Sequence, residues 1–124
     1  MPKKVLIIED EEILGNILYN KLIENGYEAK WAKDGEEGLT MIREMMPDLI
    51  LLDIVMPKKS GFEVLETMKL DPILSKLSVV IVSNSGQPVE VDKAKSLGAK
   101  DWIAKTEFDP EEVIDKVIKQ IGKS

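Results

Sequence analysis

The chain predicts an α/β domain: a five-stranded, doubly wound parallel sheet with helices on both faces. Three observations carry this. Five short apolar runs alternate with five segments of helical periodicity, the pattern of successive βαβ units. The strongest runs, 5–8, 49–52 and 79–82, are apolar without alternation, as strands buried on both faces are. No linker, repeat or low-complexity stretch interrupts the alternation, and right-handed crossovers between parallel strands then place helices on both faces.

Each element has its own signal. The run 5–8 stops at Glu9-Asp10-Glu11-Glu12; Ile13, Leu14, Ile17, Leu18 and Leu22 then share one helical face, and Asn25-Gly26 ends that helix. Residues 27–32 form a second, less apolar strand, expected nearer an edge. Asp34-Gly35-Glu36-Glu37 reads as an N-cap with acids in the first turn, followed by Leu39, Met41, Ile42 and Met45 and closed by Pro47. The run 49–52 stops at Asp53. After a loop over 56–61, Ser60 and Glu63 have the capping-box spacing, and a helix carrying Phe62, Val64, Leu65 and Met68 ends at Asp71-Pro72. The run 79–82 stops at Ser83-Asn84-Ser85-Gly86. Residues 88–97 carry only a thin stripe of Val91, Ala94 and Leu97, with Gly98 as a left-handed stop. Trp102-Ile103-Ala104 is a short fifth strand followed by Lys105. Asp109-Pro110-Glu111-Glu112 starts the last helix as N-cap, Pro at N1 and two acids, and Val113, Ile114, Val117, Ile118 and Ile121 stripe it. Apolarity places the first, third and fourth strands inside the sheet; the full order does not follow from the pattern.

Composition narrows the function classes. A length of 124 residues suits one domain with a sizeable core, and 44% apolar with 32% charged residues fits a soluble globular protein. A formal charge of −6 argues against a general nucleic-acid or membrane binder. Without Cys there is no disulfide or thiol chemistry, and without His no imidazole base, His metal ligand or phosphohistidine within the chain. No apolar run approaches the ~18 residues of a membrane span, and Met-Pro-Lys-Lys leads directly into a strand rather than a signal peptide. Cytoplasmic localisation is the expectation.

The strand ends carry the chemistry. In a parallel sheet they lie along one rim, where ligands of open α/β sheets bind. Glu9 and Asp10, Asp53, Ser83 and Lys105 therefore converge. Clustered carboxylates raise a pKa or recruit a cation, and an all-oxygen donor set without His or Cys suits Mg²⁺. A hydroxyl and an ammonium beside them are the groups that hold phosphoryl oxygens. Asp53, ionised at neutral pH, can serve as nucleophile in phosphoryl transfer without a base. Taken singly, each residue has a plainer role as a cap, turn or surface charge; their joint placement at the strand ends favours the site.

On the pair Glu9-Asp10, the segment Asp53-x-x-Met56-Pro57-x-x-x-Gly61, Ser83, Gly98-Ala99-Lys100-Asp101-Trp102 and Lys105, the chain resembles the receiver domains of two-component response regulators. The resemblance covers residues 1–124, and is nearest to single-domain chemotaxis-type regulators. It implies the flavodoxin-like strand order 2-1-3-4-5 and a phosphorelay function, with Asp53 taking a phosphoryl group from a partner phosphohistidine. It implies Asp10 and Asp53 as direct Mg²⁺ ligands, the Val55 carbonyl as a third, and Glu9 acting mostly through water. Ser83 would bind a phosphoryl oxygen, Lys105 would pair with the acyl phosphate, and Trp102 would occupy the aromatic switch position. The implied partners are a histidine kinase or histidine phosphotransfer protein and a downstream output protein or domain, with a homodimer on activation. Neither membrane nor nucleic acid is a direct partner. The output face would comprise the fourth helix, fifth strand and fifth helix. The chain would be a signalling domain with at most self-phosphorylation and self-dephosphorylation activity, and Val55 and Ser85 would flank the path of attacking water.

Three positions depart from the family's usual pattern: Glu9-Asp10 for Asp-Asp, Trp102 for Tyr or Phe, and Thr106 after Lys105 where proline is usual, which bears on the shape of that loop. An aspartate-nucleophile phosphatase of the haloacid-dehalogenase type is the alternative from another class. It needs a second Asp two residues after the first, and that position is Val55. A docking module without phosphate chemistry is a third reading, opposed by the intact acids, Ser83 and Lys105. A flavodoxin-type FMN carrier fits least, because the acidic loop after the first strand would repel phosphate.

Overall fold

The computed structural model describes residues 2–84, 87–105 and 109–123. Along the chain run β1 (Lys4–Ile8), α1 (Glu12–Glu24), β2 (Glu28–Ala32), α2 (Gly35–Met45), β3 (Leu49–Leu52), α3 (Gly61–Leu70), a short 3-10 turn at Leu74–Lys76, β4 (Ser78–Ser83), α4 (Pro88–Ser96), β5 (Asp101–Ala104) and α5 (Pro110–Ile121). The five strands are parallel in the order β2-β1-β3-β4-β5. The three most apolar strands are thus central. Strand alternation sorts their side chains to two cores. Leu6, Ile8, Ile50, Leu52 and Ile81 pack with Leu39, Ile42, Val64, Leu65 and Ala94 from α2, α3 and α4. Val5, Ile7, Leu49, Leu51 and Val80 pack with Leu18, Leu22, Val113, Ile114 and Val117 from α1 and α5.

Helix ends follow the sequence signals. Asp34, Ser60 and Asp109 accept hydrogen bonds from the backbone N–H groups of Glu37, Glu63 and Glu111, capping α2, α3 and α5. Gly98 has φ +103°, as a left-handed helix stop requires. Asp71 ends α3 and then accepts from the N–H groups of Ile73 and Leu74, which shapes the 3-10 turn the sequence periodicity did not reveal.

One face is corrected. Of the five α1 residues assigned to a single apolar face, Leu18 and Leu22 are buried and Leu14 is half-buried, but Ile13 is 80% exposed and Ile17 is also exposed. The reason is Gly15: α1 turns this position to the sheet, where the Trp31 ring of β2 fills the space a side chain would take. The inward stripe therefore runs through Leu14, Gly15, Leu18 and Leu22. Among the described residues no helix is long and apolar enough to cross a membrane.

Candidate functional site

The carboxyl ends of β1, β3, β4 and β5 open into a cleft of about 260 Å³ whose lining includes Asp10, Asp53, Val55, Ser83 and Lys105. Backbone bonds fix its floor. Glu9 N–H donates to the Ala32 carbonyl at 3.0 Å, and the Trp31 indole N–H donates to the Glu9 carbonyl at 2.8 Å, so Glu9 is held from β2 by both backbone polar groups. Asp53 N–H donates to the Ile8 carbonyl at 2.9 Å, seating Asp53 beside Glu9. The loop after Asp53 closes with Gly61 N–H on the Ile54 carbonyl at 2.8 Å. A Cβ at Gly61 would run into the Asp53 carbonyl oxygen, so the chain can return this close only without a side chain. Ser83, the last residue of β4, pairs in register with Ala104, which precedes Lys105.

Glu9, Asp53 and Ser83 are the buried polar and charged side chains among the described residues. The Lys105 ammonium, 7% exposed, donates to Asp53 Oδ2 at 3.0 Å, Glu9 Oε2 at 3.1 Å and Glu11 Oε2 at 3.3 Å. Asp53 Oδ1 accepts the Ile54 N–H at 2.8 Å. Ligand oxygens of Glu9, Asp10 and Asp53 lie within 4.8 Å of one another, with Asp10 exposed at the mouth. One ammonium thus faces a group of carboxylates it cannot neutralise.

The electrostatics record this imbalance. Burial, then repulsion from Asp53, pushes the Glu9 carboxyl from 4.5 up to about 8, against the Glu11 N–H and Lys105. Burial also raises the Asp53 carboxyl, with the Lys105 hydrogen bond and charge opposing it. Burial works to lower the Lys105 ammonium, but hydrogen bonds to Asp53 and Glu9 carry it above its ordinary value. Glu9 Oε1 lies 3.1 Å from the ammonium yet is misdirected for a hydrogen bond and accepts none. A buried acceptor without a donor, beside two more carboxylates and with no nitrogen or sulfur ligand, fits a hard divalent cation.

Of the residues singled out for the chemistry, Glu9, Asp10, Asp53, Val55, Ser83 and Lys105 lie at this rim and Trp102 does not. That ring is half-buried and packs against the core on the α2, α3 and α4 side. Val55 lines the cleft with its side chain 77% exposed. Sequence reasoning missed Glu11, which contacts Lys105; Asn84 and Glu90, which line the cleft; and Trp31, which holds the Glu9 carbonyl. Gly15, a glycine inside a helical pattern, was the available signal for the close approach of Trp31. Thr106 and Ser85 lie outside the described residues.

The chain is similar to known proteins. The response regulator receiver domain family matches residues 5–118. The chemotaxis protein CheY of Thermotoga maritima is 35% identical over 121 residues, covering 96% of this chain and 98% of that protein. The regulatory protein PhoP of Bacillus subtilis, named for alkaline phosphatase synthesis, is 37% identical over 119 residues, covering 94% of this chain and 48% of PhoP. The chain spans about half the length of such transcriptional regulators. Among solved structures, CheY4 of Vibrio cholerae superposes with a TM-score of 0.90 at 25% identity, covering 97% of this chain and 99% of that one. The receiver domain of Francisella response regulator 1452 superposes with a TM-score of 0.89 at 27% identity, covering 96% of each. These likenesses do not favour the phosphatase or phosphate-independent alternatives, and the chain belongs to the response regulator receiver domains of two-component signalling.

Proposed function

We propose that residues 1–124 act as one receiver domain in which Asp53 accepts a phosphoryl group from a partner phosphohistidine. The observation that carries this reading is the buried Asp53 carboxylate, bonded to the Lys105 ammonium at 3.0 Å in a cleft shared with Asp10 and Ser83. An Asp53 carboxylate oxygen forms the new bond to phosphorus as the phosphorus–nitrogen bond breaks. The leaving nitrogen takes the bonding electron pair, and a solvent proton restores neutral imidazole. Lys105, already on Asp53 Oδ2, is placed to follow the added negative charge, and the Ser83 hydroxyl can donate to a phosphoryl oxygen. Asp10, Asp53 and the Val55 carbonyl would hold Mg²⁺ directly and Glu9 would act through water. When bound, the ion neutralises charge on the transferring phosphoryl oxygens. Small acyl phosphates would serve as donors by the same displacement, with a carboxylate leaving.

The test is intact-mass spectrometry with acetyl phosphate and Mg²⁺. Wild type should gain one phosphate and Asp53→Asn none; full incorporation in Asp53→Asn would overturn the assignment.

The upstream partner is a histidine kinase or histidine phosphotransfer protein, and the output passes to a downstream protein or domain or through an activation-dependent homodimer. Direct binding of nucleic acid or membrane forms no part of this reading. The output face is α4, β5 and α5: α4 buries only Ala94 fully, so it moves at low cost, and Trp102 is the aromatic group on β5 that would couple to Ser83. With beryllofluoride and Mg²⁺, hydrogen exchange should change in Pro88–Ser96, Asp101–Ala104 and Pro110–Ile121. Changes confined to α2 and α3 would contradict it.

A further inference from the structure

We propose that the cavity between α3, the 3-10 turn and α4 is a binding site for an aliphatic carboxylate of medium chain length. It lies away from the phosphoryl-acceptor cleft, shares none of that cleft's lining residues, and measures about 250 Å³. Six apolar residues form most of its wall: Leu65 and Met68 from α3, Leu74 in the turn and Leu77 just after it, Val79 from β4 and Leu97 just after α4. Lys69 and Lys95 bring two ammonium groups to the lining, Ser75, Ser96 and Gly98 complete it, and no carboxylate among the described residues lines it. Lys69 donates to the Ser96 carbonyl at 2.8 Å and so spans from α3 to α4. Lys95 has no ion-pair partner among the described residues.

An apolar pocket with a few charged groups at its edge selects for an amphiphile whose head carries the opposite charge. Burying alkyl carbon is favourable in proportion to its area, and a carboxylate meets the two lysines with charge-assisted hydrogen bonds. The signature distinguishes this cavity from the apolar patch at Ile13 and Ile17 on α1, where Glu11 and Glu12 line the wall and, among the described residues, the one ammonium, Lys105, is already bonded to Glu9, Glu11 and Asp53.

Decanoate is the probe, titrated into the full chain below its micelle concentration and followed by methyl NMR. Saturable shifts should appear at Leu65, Leu74 and Leu97. Lys69→Glu combined with Lys95→Glu should weaken decanoate at least about tenfold, as the loss of charge-assisted contacts implies, and leave decan-1-ol nearly unchanged. Ser75 is exposed at the cavity, so Ser75→Trp can obstruct it without repacking the core and should abolish the shifts while the melting curve stays cooperative. Four results would each overturn the proposal: no saturation by about 1 mM; shifts centred on Ile13, Ile17 or Val89; equal affinity for decylammonium; or shifts at these leucines that track protein concentration alone, which would make the cavity a contact between copies.

Discussion

The two ends of the same strands treat charge in opposite ways. At the carboxyl end, burial raises the Glu9 and Asp53 carboxyls, repulsion from Asp53 raises Glu9 further, and among the described residues Lys105 is the one ammonium that answers Glu9, Glu11 and Asp53. At the amino end, the polar groups have matching partners. Asp48 Oδ2 accepts the Lys4 N–H at 2.7 Å, and the Tyr27 hydroxyl donates to the Gly122 carbonyl at 2.7 Å. Lys3 donates to the Ile121 carbonyl. Asp101, first residue of β5, accepts from the Trp102 N–H at 2.8 Å and Lys116 at 3.1 Å, and these bonds hold its carboxyl low against burial. One end is built for stability and ties α5 to the sheet. The other holds an excess of negative charge that a cation can relieve.

The largest expected effect comes from removing the single ammonium. Lys105→Met leaves the buried carboxylates without their ammonium partner and should lower stability by about 3–5 kcal/mol in metal-free buffer. Urea denaturation would measure it, and Mg²⁺ should recover part of the loss. A change under about 1 kcal/mol would mean that the carboxylates shed their charge at little cost, and the contrast between the two ends would fail.

The pH dependences should run in opposite directions. The Glu9 carboxyl is raised from 4.5 to about 8, so the folded state binds its proton more tightly than the unfolded state. Stability should therefore fall as pH rises between those values, by at most about 5 kcal/mol. Glu9→Gln should remove that slope in metal-free buffer. The Asp101 carboxyl is lowered from 3.8, so its contribution is full above that value and is lost as pH falls through the lowered one. Asp101→Asn should cost about 1 kcal/mol at pH 7, reduced by its partial exposure, and nothing in strong acid. Denaturation midpoints across pH for the two variants check both signs.

What the sequence made legible follows from where each signal is stored. Runs 5–8, 49–52 and 79–82 carry burial on both faces in their composition, so they announced a parallel sheet and its central strands. Asp10, Asp53, Ser83 and Lys105 were legible because strand ends in a parallel sheet must share a rim. The α1 face was misjudged because helical periodicity assumes that apolar residues face inward. Here Gly15 faces inward to admit Trp31, and Ile13, two residues earlier, turns to solvent. Glu11 and Trp31 join the site through contacts between elements far apart in the chain, which no local spacing encodes. The 3-10 turn is set locally, by the Asp71 carboxylate accepting from Ile73 and Leu74, a bond that apolar periodicity does not read; the lysine-edged cavity beside it is a tertiary outcome, lined from α3, the turn and the end of α4.

The most direct test of the central claim, that the relieved charge excess is centred on a phosphoryl-accepting Asp53, is to trap the acyl phosphate chemically. After acetyl phosphate treatment with Mg²⁺, borohydride reduces an aspartyl phosphate to the alcohol, and peptide mass spectrometry locates it. The account predicts reduction at Asp53 alone, absent when EDTA replaces Mg²⁺. Reduction at Glu9 or Asp10 instead, or at Asp53 equally with and without the cation, would contradict it.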